Sequence, residues 1–508
     1  MKGSNSSVTS SGTNKRRQQN DIRLYVHQAL SADELEITNK YLLELIVDAG
    51  LPFSFVERPS FFRFVNSIRS MTAEQLPSRK KLRNILLPKV AELVKNHFET
   101  NAKNKIEKGH CGGLILDGYK NVSGQHIESI IVSVGGVTFP LGLDACGTEH
   151  DGLAVARTIE GLLKKHSDKY KIKYVCTDDA GQCGRARQIL ALRYPHLVFM
   201  RCYAYQVNLM VCALLKCQLF QRVSKEAVAA AKAITASSSK WLPKLVDTVV
   251  SCYGNVASKV LVPAETRWNS MQGCFGSQLR IRSACRMFAV KYSTGGIPAP
   301  LKKWESASFW SDLKTIELVI RPFCHASYLM QRECNNLAHI MLLYLNLTLF
   351  IIKISLNWQD SSELLKDIEQ RWKKEENPLF LLASLLHPTY RSVAAKIISI
   401  STNVRGNWRR QQNPLTLQRL KAAACFYYCK FRLNADVEDS DDEMSELKDQ
   451  LEDWYNDTLE VQKYKPERHD VVQWWLSHKA ENTELSKLAT FLLGVKVQLA
   501  DCERHFKD

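Results

Sequence analysis

No cysteine precedes Cys111, and none of the 15 cysteines stands in a Cys-x-x-Cys spacing. Cys425 and Cys429 are four apart and Cys324 adjoins His325, but neither has a complementary pair at a usual zinc spacing. The thiols therefore read as core residues. No glycine-rich phosphate loop occurs, so nucleotide-driven chemistry has no support and no nucleotide cofactor is expected. Long apolar runs are also missing. The longest, Ile340 to Ile352, contains Asn346 and Thr348 and is too short to span a bilayer, so no membrane partner is expected. The N-terminus lacks the apolar core of a signal peptide, so the cysteines are expected to be reduced thiols of an intracellular protein rather than a disulfide framework. Acids are the scarcer charge, 52 against 69 Lys and Arg, leaving a net +17. Such an excess points to a polyanionic partner, most often nucleic acid.

What is present is ordinary globular material. The 508 residues are 45% hydrophobic and 24% charged, enough for about three modules with substantial cores. Residues 1–20 are Ser, Asn, Gly and Gln with Lys15, Arg16 and Arg17, and read as a disordered basic tail. Three adjacent basic residues also fit a short nuclear signal.

Residues 21–108 carry helical spacings: Leu42, Leu43, Leu45 and Ile46, then Phe61, Phe62 and Phe64, then Leu86, Leu87, Val90, Leu93 and Val94. From residue 109 to 202 the pattern changes. Gly112 to Leu116, Glu128 to Val134 and Gly136 to Leu143 read as an antiparallel meander. A helical run from Gly152 to Lys165 follows, then a strand at Tyr174 to Cys176, a helix at Arg185 to Arg193 and a strand at Val198 to Met200. That order predicts a mixed α/β sheet. Residues 203–435 read as an all-helical domain. Within 436–457 lies a run, 436–453, of ten acids and one Lys, expected to be a disordered, solvated acidic loop. Without its −9 the rest of the chain carries +26. Residues 458–508 close the chain with Trp474-Trp475 and a helical pattern at Leu485, Leu488 and Leu492.

Asp117 and Asp178 each follow an apolar strand run. Carboxylates held at adjacent strand ends can share divalent cations, since Mg²⁺ prefers oxygen ligands and takes one or two protein carboxylates with substrate phosphate. Two such ions about 4 Å apart stabilise both the attacking and the leaving oxygen of a phosphodiester displacement. Most Asp residues at strand ends simply cap the next turn or helix, and the residues alone leave both readings open.

The flanking residues add a resemblance. Gly50-Leu51-Pro52-Phe53-Ser54, Phe61 and Leu76-Pro77-Ser78-Arg79, then Leu116-Asp117-Gly118, Thr177-Asp178-Asp179-Ala180, Thr266-Arg267-Trp268-Asn269-Ser270, Trp474-Trp475 and Cys502-Glu503-Arg504-His505-Phe506 stand in the order of the hAT superfamily of DNA transposases. The chain is similar to that family over most of its length. The resemblance implies an α/β plus α fold: a ribonuclease H-like mixed sheet, interrupted after its fifth strand by the long helical insertion and preceded by the helical N-terminal region. It implies that Asp117, Asp178 and Glu503 form a catalytic DDE site binding two Mg²⁺ or Mn²⁺ ions. Arg267 and Trp268 would bind DNA, with Trp268 stacking on an extruded base, a contact worth roughly 1–3 kcal/mol. Double-stranded DNA, a homo-oligomer formed through residues 458–508 and a nuclear location follow from the same resemblance. A lone Trp is otherwise most simply a core aromatic, and Glu503 a surface acid on a terminal helix.

Three departures qualify it. Where the family has Cys-x-x-His, this chain has Cys202 and Tyr205, and a phenol cannot replace an imidazole in the same geometry. No zinc finger of the BED type is expected ahead of the helical region, and the dimerisation region is expected to be truncated after Phe506. The sequence leaves three readings: a metal-dependent transposase with impaired activity, a transposase-derived DNA- or protein-binding factor without catalysis, and a nuclear helical scaffold.

Overall fold

A computed structural model describes residues 30–68, 72–121, 123–145, 151–254, 259–264, 269–354, 361–375, 377–403, 416–432 and 441–505. The basic tail 1–20 lies outside them. The chain divides into two compact units, the first ending at Glu99 and the second running from Thr100 to Lys507.

The first unit is helical. Helix α1 (Ala32–Asp48) opens with a capping box: the Ser31 hydroxyl accepts from the Glu34 N–H, and the Glu34 carboxylate accepts from the Ser31 N–H at 2.9 Å. Leu42, Leu43 and Ile46 of α1 are buried with Val56 and Leu82. Leu45, expected inside with them, is 50% exposed, because four apolar residues within five positions cannot share one face of a 3.6-residue helix. Helix α2 (Leu87–Glu107) continues directly from helical turns at Arg79–Lys81 and Leu82–Leu86, the latter wound as a π-helix, so Pro88 follows that wider turn rather than opening a helix.

The second unit contains a five-stranded mixed sheet: β1 (Gly112–Lys120), β2 (His126–Val134), β3 (Val137–Ala145), β4 (Ile172–Thr177) and β5 (Val198–Arg201), in spatial order β3-β2-β1-β4-β5. β1 pairs antiparallel with β2 and β2 with β3, while β4 lies parallel to both β1 and β5. The β2–β3 hairpin turns on Gly135-Gly136, both at positive φ (54° and 86°), as a two-residue loop matching strand twist requires. Gly113 has another reason to be glycine: a Cβ there would sit 2.0 Å from the Tyr174 ring.

Helices α3 (Gly152–Tyr170) and α4 (Gly181–Arg193) pack on each other and on β4 and β5. Asp151 caps α3, accepting from the Leu153 and Ala154 N–H groups at 3.0 and 2.8 Å. Alternate strand residues on the other face, Ile115, Ile131, Tyr174, Cys176, Val198 and Met200, join one large core with the helices that follow β5. Those helices begin at α5 (Tyr203–Lys216) and include α6 (Ala307–Met330), α7 (Leu337–Ile354), α8 (Pro378–Leu386) and α9 (Leu417–Phe431). Trp304, Trp310, Phe275, Phe288 and Phe323 are fully buried among them. α7 extends the apolar run to 18 residues with mean hydropathy 1.9, long and apolar enough to cross a membrane by length and composition. Its Leu337, Ile340, Leu347 and Ile351 lie in the core.

The acidic segment departs from expectation. Residues 436–440 lie outside the described residues, but Asp441–Asn456 is a helix, α10, not a disordered loop. Leu447, Leu451 and Trp454, at i, i+4 and i+7, put one apolar stripe into the core while the acids take the wet faces. Three acids in its first turn also complement the helix dipole. The chain ends through α11 (Val471–Ser477), α12 (Thr483–Gly494), an extended stretch and α13 (Ala500–His505). Trp474 and Trp475, which the resemblance places in a dimerisation region, are buried inside this chain. Trp475 donates to the Leu386 carbonyl at 2.9 Å and Trp474 to that of Gln462 at 3.2 Å.

Candidate functional site

The parallel ladder between β1 and β4 ends at the pair Leu116 and Thr177. Asp117 and Asp178 are the next residue on each chain, side by side where the ladder stops. β1 itself does not end there; it continues to Lys120, paired only with β2. A crevice therefore opens where β1 keeps its antiparallel neighbour and loses its parallel one, the place where open α/β sheets bind ligands. It is about 220 Å³, and Asp117, Tyr119, Lys120, Glu128, Asp178 and Cys183 are among its walls.

Glu503 reaches this end of the sheet through its neighbour Cys502. That side chain is fully buried, with its thiol 3.7 Å from the Ile115 carbonyl and 3.8 Å from that of Ser129, so α13 seats across β1 and β2. The approach is anchored further back, where the Tyr203 N–H donates to the Val497 carbonyl at 3.0 Å. Asp501 holds the turn, facing buried Lys496 at 3.5 Å and Arg504 within the same helix.

Asp117 and Asp178 stand together at the ladder end, while Glu503 lines a separate opening with Arg332 and Arg504 but is near enough for its charge to act on Asp117. Burial first, then the charge of Asp178, then that of Glu503 push the Asp117 carboxyl up to about 7, against a smaller opposing contribution from the Gly118 N–H. Two nearby arginines are taken by Asp179. Arg187, 7% exposed, binds Asp179 at 2.9 Å; Arg201 does so at 3.0 Å; and the Gln206 amide donates to it at 2.6 Å. Arg187 also donates to the Asp178 carbonyl. The second aspartate of Thr177-Asp178-Asp179-Ala180, where the resembling family usually has Asn, is therefore a neutralised structural anchor. Asp178 accepts from the Ala180 N–H at 3.2 Å and from the Cys183 thiol, which burial and then its charge hold above the usual thiol range.

Cys202 is buried at the start of α5, and Tyr205, 40% exposed, stands near Asp178. Burial and the charge of Asp178 raise its phenol above the usual value, so it is a neutral hydroxyl at physiological pH. Arg267 and Trp268 lie outside the described residues. The flanking Asn269 donates to the Ser327 hydroxyl of α6 at 2.7 Å.

The donor set is entirely carboxylate oxygen, which suits Mg²⁺ or Mn²⁺ rather than a soft metal. Acids that raise one another's proton affinity are also ones that a bound cation relieves. Among the described residues, however, no set of three or more His, Cys, Asp or Glu side chains is arranged so that it could hold a metal ion. The carboxylates share one electrostatic site without forming a closed ligand cage.

Sequence reasoning missed the anchor around Asp179. Its signal was Arg187 between Ala186 and Leu190 on the buried side of α4, since a buried arginine requires a carboxylate.

The family described as Domain of unknown function (DUF659) matches residues 77–233. Such a domain is typical of hAT-family transposase-like proteins and indicates a transposase-like origin. The match spans the whole sheet and includes Asp117, Asp178, Cys202 and Tyr205. None of the curated proteins matches the chain.

Proposed function

We propose that this chain is a hAT-like transposase or its descendant, a DNA-binding protein with a metal-dependent DDE site of impaired activity. The observation that carries the reading is the pair Asp117 and Asp178 at the end of one parallel ladder, with Glu503, carried towards the sheet by the seating of Cys502 on β1 and β2, near enough for its charge to act on Asp117. The strand order and the helical insertion after β5 support a ribonuclease H-like core, and the DUF659 match supports the ancestry. Duplex DNA, a second copy of the chain and a nuclear location are the partners and place that go with it. Arg267 and Trp268 would contact the DNA.

Asp117, Asp178 and Glu503 would hold Mg²⁺ or Mn²⁺, which when bound supplies charge stabilisation to the attacking and leaving oxygens of a phosphodiester displacement. Asp117 carries a proton up to about pH 7 and must lose it to act as a ligand. Asp179, tied to Arg187 and Arg201, fixes the turn that orients Asp178. Tyr205 stands near Asp178 in the place of the family's histidine and cannot take up a proton near neutral pH. Loss of such a supporting group commonly costs 10–100-fold in metal affinity or activity. A second reading, a binding factor without catalysis, is favoured by the open spacing of the carboxylates among the described residues.

Nicking of supercoiled plasmid in Mg²⁺ or Mn²⁺ tests both without knowledge of a target sequence. The expected result is slow nicking by the unmodified chain, a rise of about tenfold or more in Tyr205→His and none in Asp117→Asn. Duplex binding that weakens with salt, at a log–log slope of roughly −0.9 per phosphate contact, accompanies either reading. Binding without nicking in every variant selects the second reading; absence of binding at low salt rejects both.

A further inference from the structure

The other end of β1 carries a second cavity, about 20 Å from Asp117 by strand rise. It encloses about 310 Å³ between the segment at Gly109 and Cys111, the end of α9, and helices α11 and α12. Its wall is apolar and aromatic: Phe431 and Phe491 are buried with their rings stacked, beside buried Leu488 and Tyr428. Three cations stand around it, Arg432, Lys479 and Lys487.

These cations are not equivalent. Arg432 is bound by Glu443 at 2.7 Å, and Lys487 by Glu484 at 2.9 Å. Lys479 forms no ion pair among the described residues, although it is half-buried. Its ammonium lies at the cavity wall beside Gly109, close enough that a Cβ on that glycine would stand 3.7 Å from Nζ. Gly109 is at φ 98°, so a side chain there would be strained as well. The backbone at this point therefore leaves the ammonium uncovered.

A half-buried ammonium with no counter-ion among the described residues, facing an aromatic cavity, selects a ligand with two parts. The charge calls for an anion, because a charge-assisted hydrogen bond in a partly dry site is about twice as strong as a neutral one. The stacked rings call for a flat apolar body, and a cavity of about 310 Å³ falls in the range that takes small organic ligands. We propose that this cavity binds a small amphipathic anion, an aromatic or acyl body bearing one carboxylate. The body lies against Phe431 and Phe491, and the carboxylate accepts from Lys479. This site is separate from the acidic crevice and does not depend on the reading given to it.

Calorimetric titration of the full chain with 2-naphthoate and with its neutral amide, 2-naphthamide, tests the proposal. The expected result is one equivalent of 2-naphthoate bound, with the amide at least tenfold weaker. Lys479→Gln should weaken 2-naphthoate about tenfold while leaving the amide and the thermal midpoint unchanged. Lys487→Gln, whose lysine already has a partner, should have a smaller effect, and Asp117→Asn none. Absence of saturable binding in the millimolar range overturns the proposal. So does equal affinity for acid and amide, or equal 2-naphthoate affinity in Lys479→Gln and the unmodified chain.

Discussion

Helix α10 and the end of the β1–β4 ladder are both rich in acid, and they treat it in opposite ways. α10 spreads Asp441, Asp442, Glu446, Asp449, Glu452 and Asp453 over its exposed faces, with Lys421 on Glu452 and Arg432 on partly buried Glu443. In water such charges cost little. At the ladder end the acids are fewer, yet Asp117 is partly buried and feels Asp178 and Glu503 through a poor dielectric. Two arginines within reach are spent on Asp179 instead. What marks a candidate site is therefore not the number of acids but their mutual repulsion where water is scarce.

The sharpest way to break this comparison is at Trp454. If the acids of α10 are only a solvated coat, the helix must be held by its apolar stripe, and Trp454 is the largest part of it. Its ring is 2% exposed, its Nε1 donates to the Leu385 carbonyl at 2.7 Å, and the Arg391 guanidinium lies 4.6 Å from its centroid. Trp454→Ala should destabilise the second unit by about 3–5 kcal/mol in denaturant unfolding. A loss below about 1 kcal/mol would return the segment to the loop its composition suggests.

That segment also shows where the sequence was legible. The five strands fell where β-rich runs alternate with turns, because a strand's pattern is local. α10 was misread because ten acids in a short run obscured Leu447, Leu451 and Trp454, whose spacing was helical throughout. Asp117 and Asp178 could be placed at strand ends from their own neighbours, although β1 outruns Asp117 by three residues, to Lys120. Glu503 could not, since nothing local ties it to the sheet. Its position depends on Cys502 fitting over Ile115 and Ser129, a tertiary match with no local trace in the sequence. The arginines on Asp179 were hidden for the same reason: Arg201 and Gln206 reach it from across the sheet edge.

A smaller effect is expected at Asp179 itself, the neutralised member of the pair. Asp179→Asn restores the residue usual in the resembling family but removes the charge that holds buried Arg187 and Arg201. Uncompensated buried charge is costly. Arg201 can turn partly to solvent, so the loss should be about 2–3 kcal/mol by thermal unfolding. A neutral outcome would show that Arg187 is satisfied by the Thr177 hydroxyl and the Asp178 carbonyl alone.

Asp117 should behave in the opposite sense. Its carboxyl ionises near 3.8 in the unfolded chain and at about 7 in the folded one, so the folded state holds the proton more tightly. The stability this contributes is complete below pH 4 and is lost as pH rises to about 7. Asp117→Asn removes the titration while keeping the shape. At pH 8 the variant should exceed the unmodified chain by about 1–3 kcal/mol, and at pH 4 the two should agree. Mg²⁺ sharpens the contrast: if the three acids close on a cation, 10 mM-scale Mg²⁺ (roughly a saturating level for a weak carboxylate site) should stabilise the unmodified chain at pH 8 and leave Asp117→Asn unmoved. Denaturant unfolding at the two pH values, with and without the cation, reads all four states. Equal pH dependence in both proteins would mean that Asp178 and Glu503 do not press on Asp117, and the contrast between the crowded ladder end and the solvated helix would fall with it.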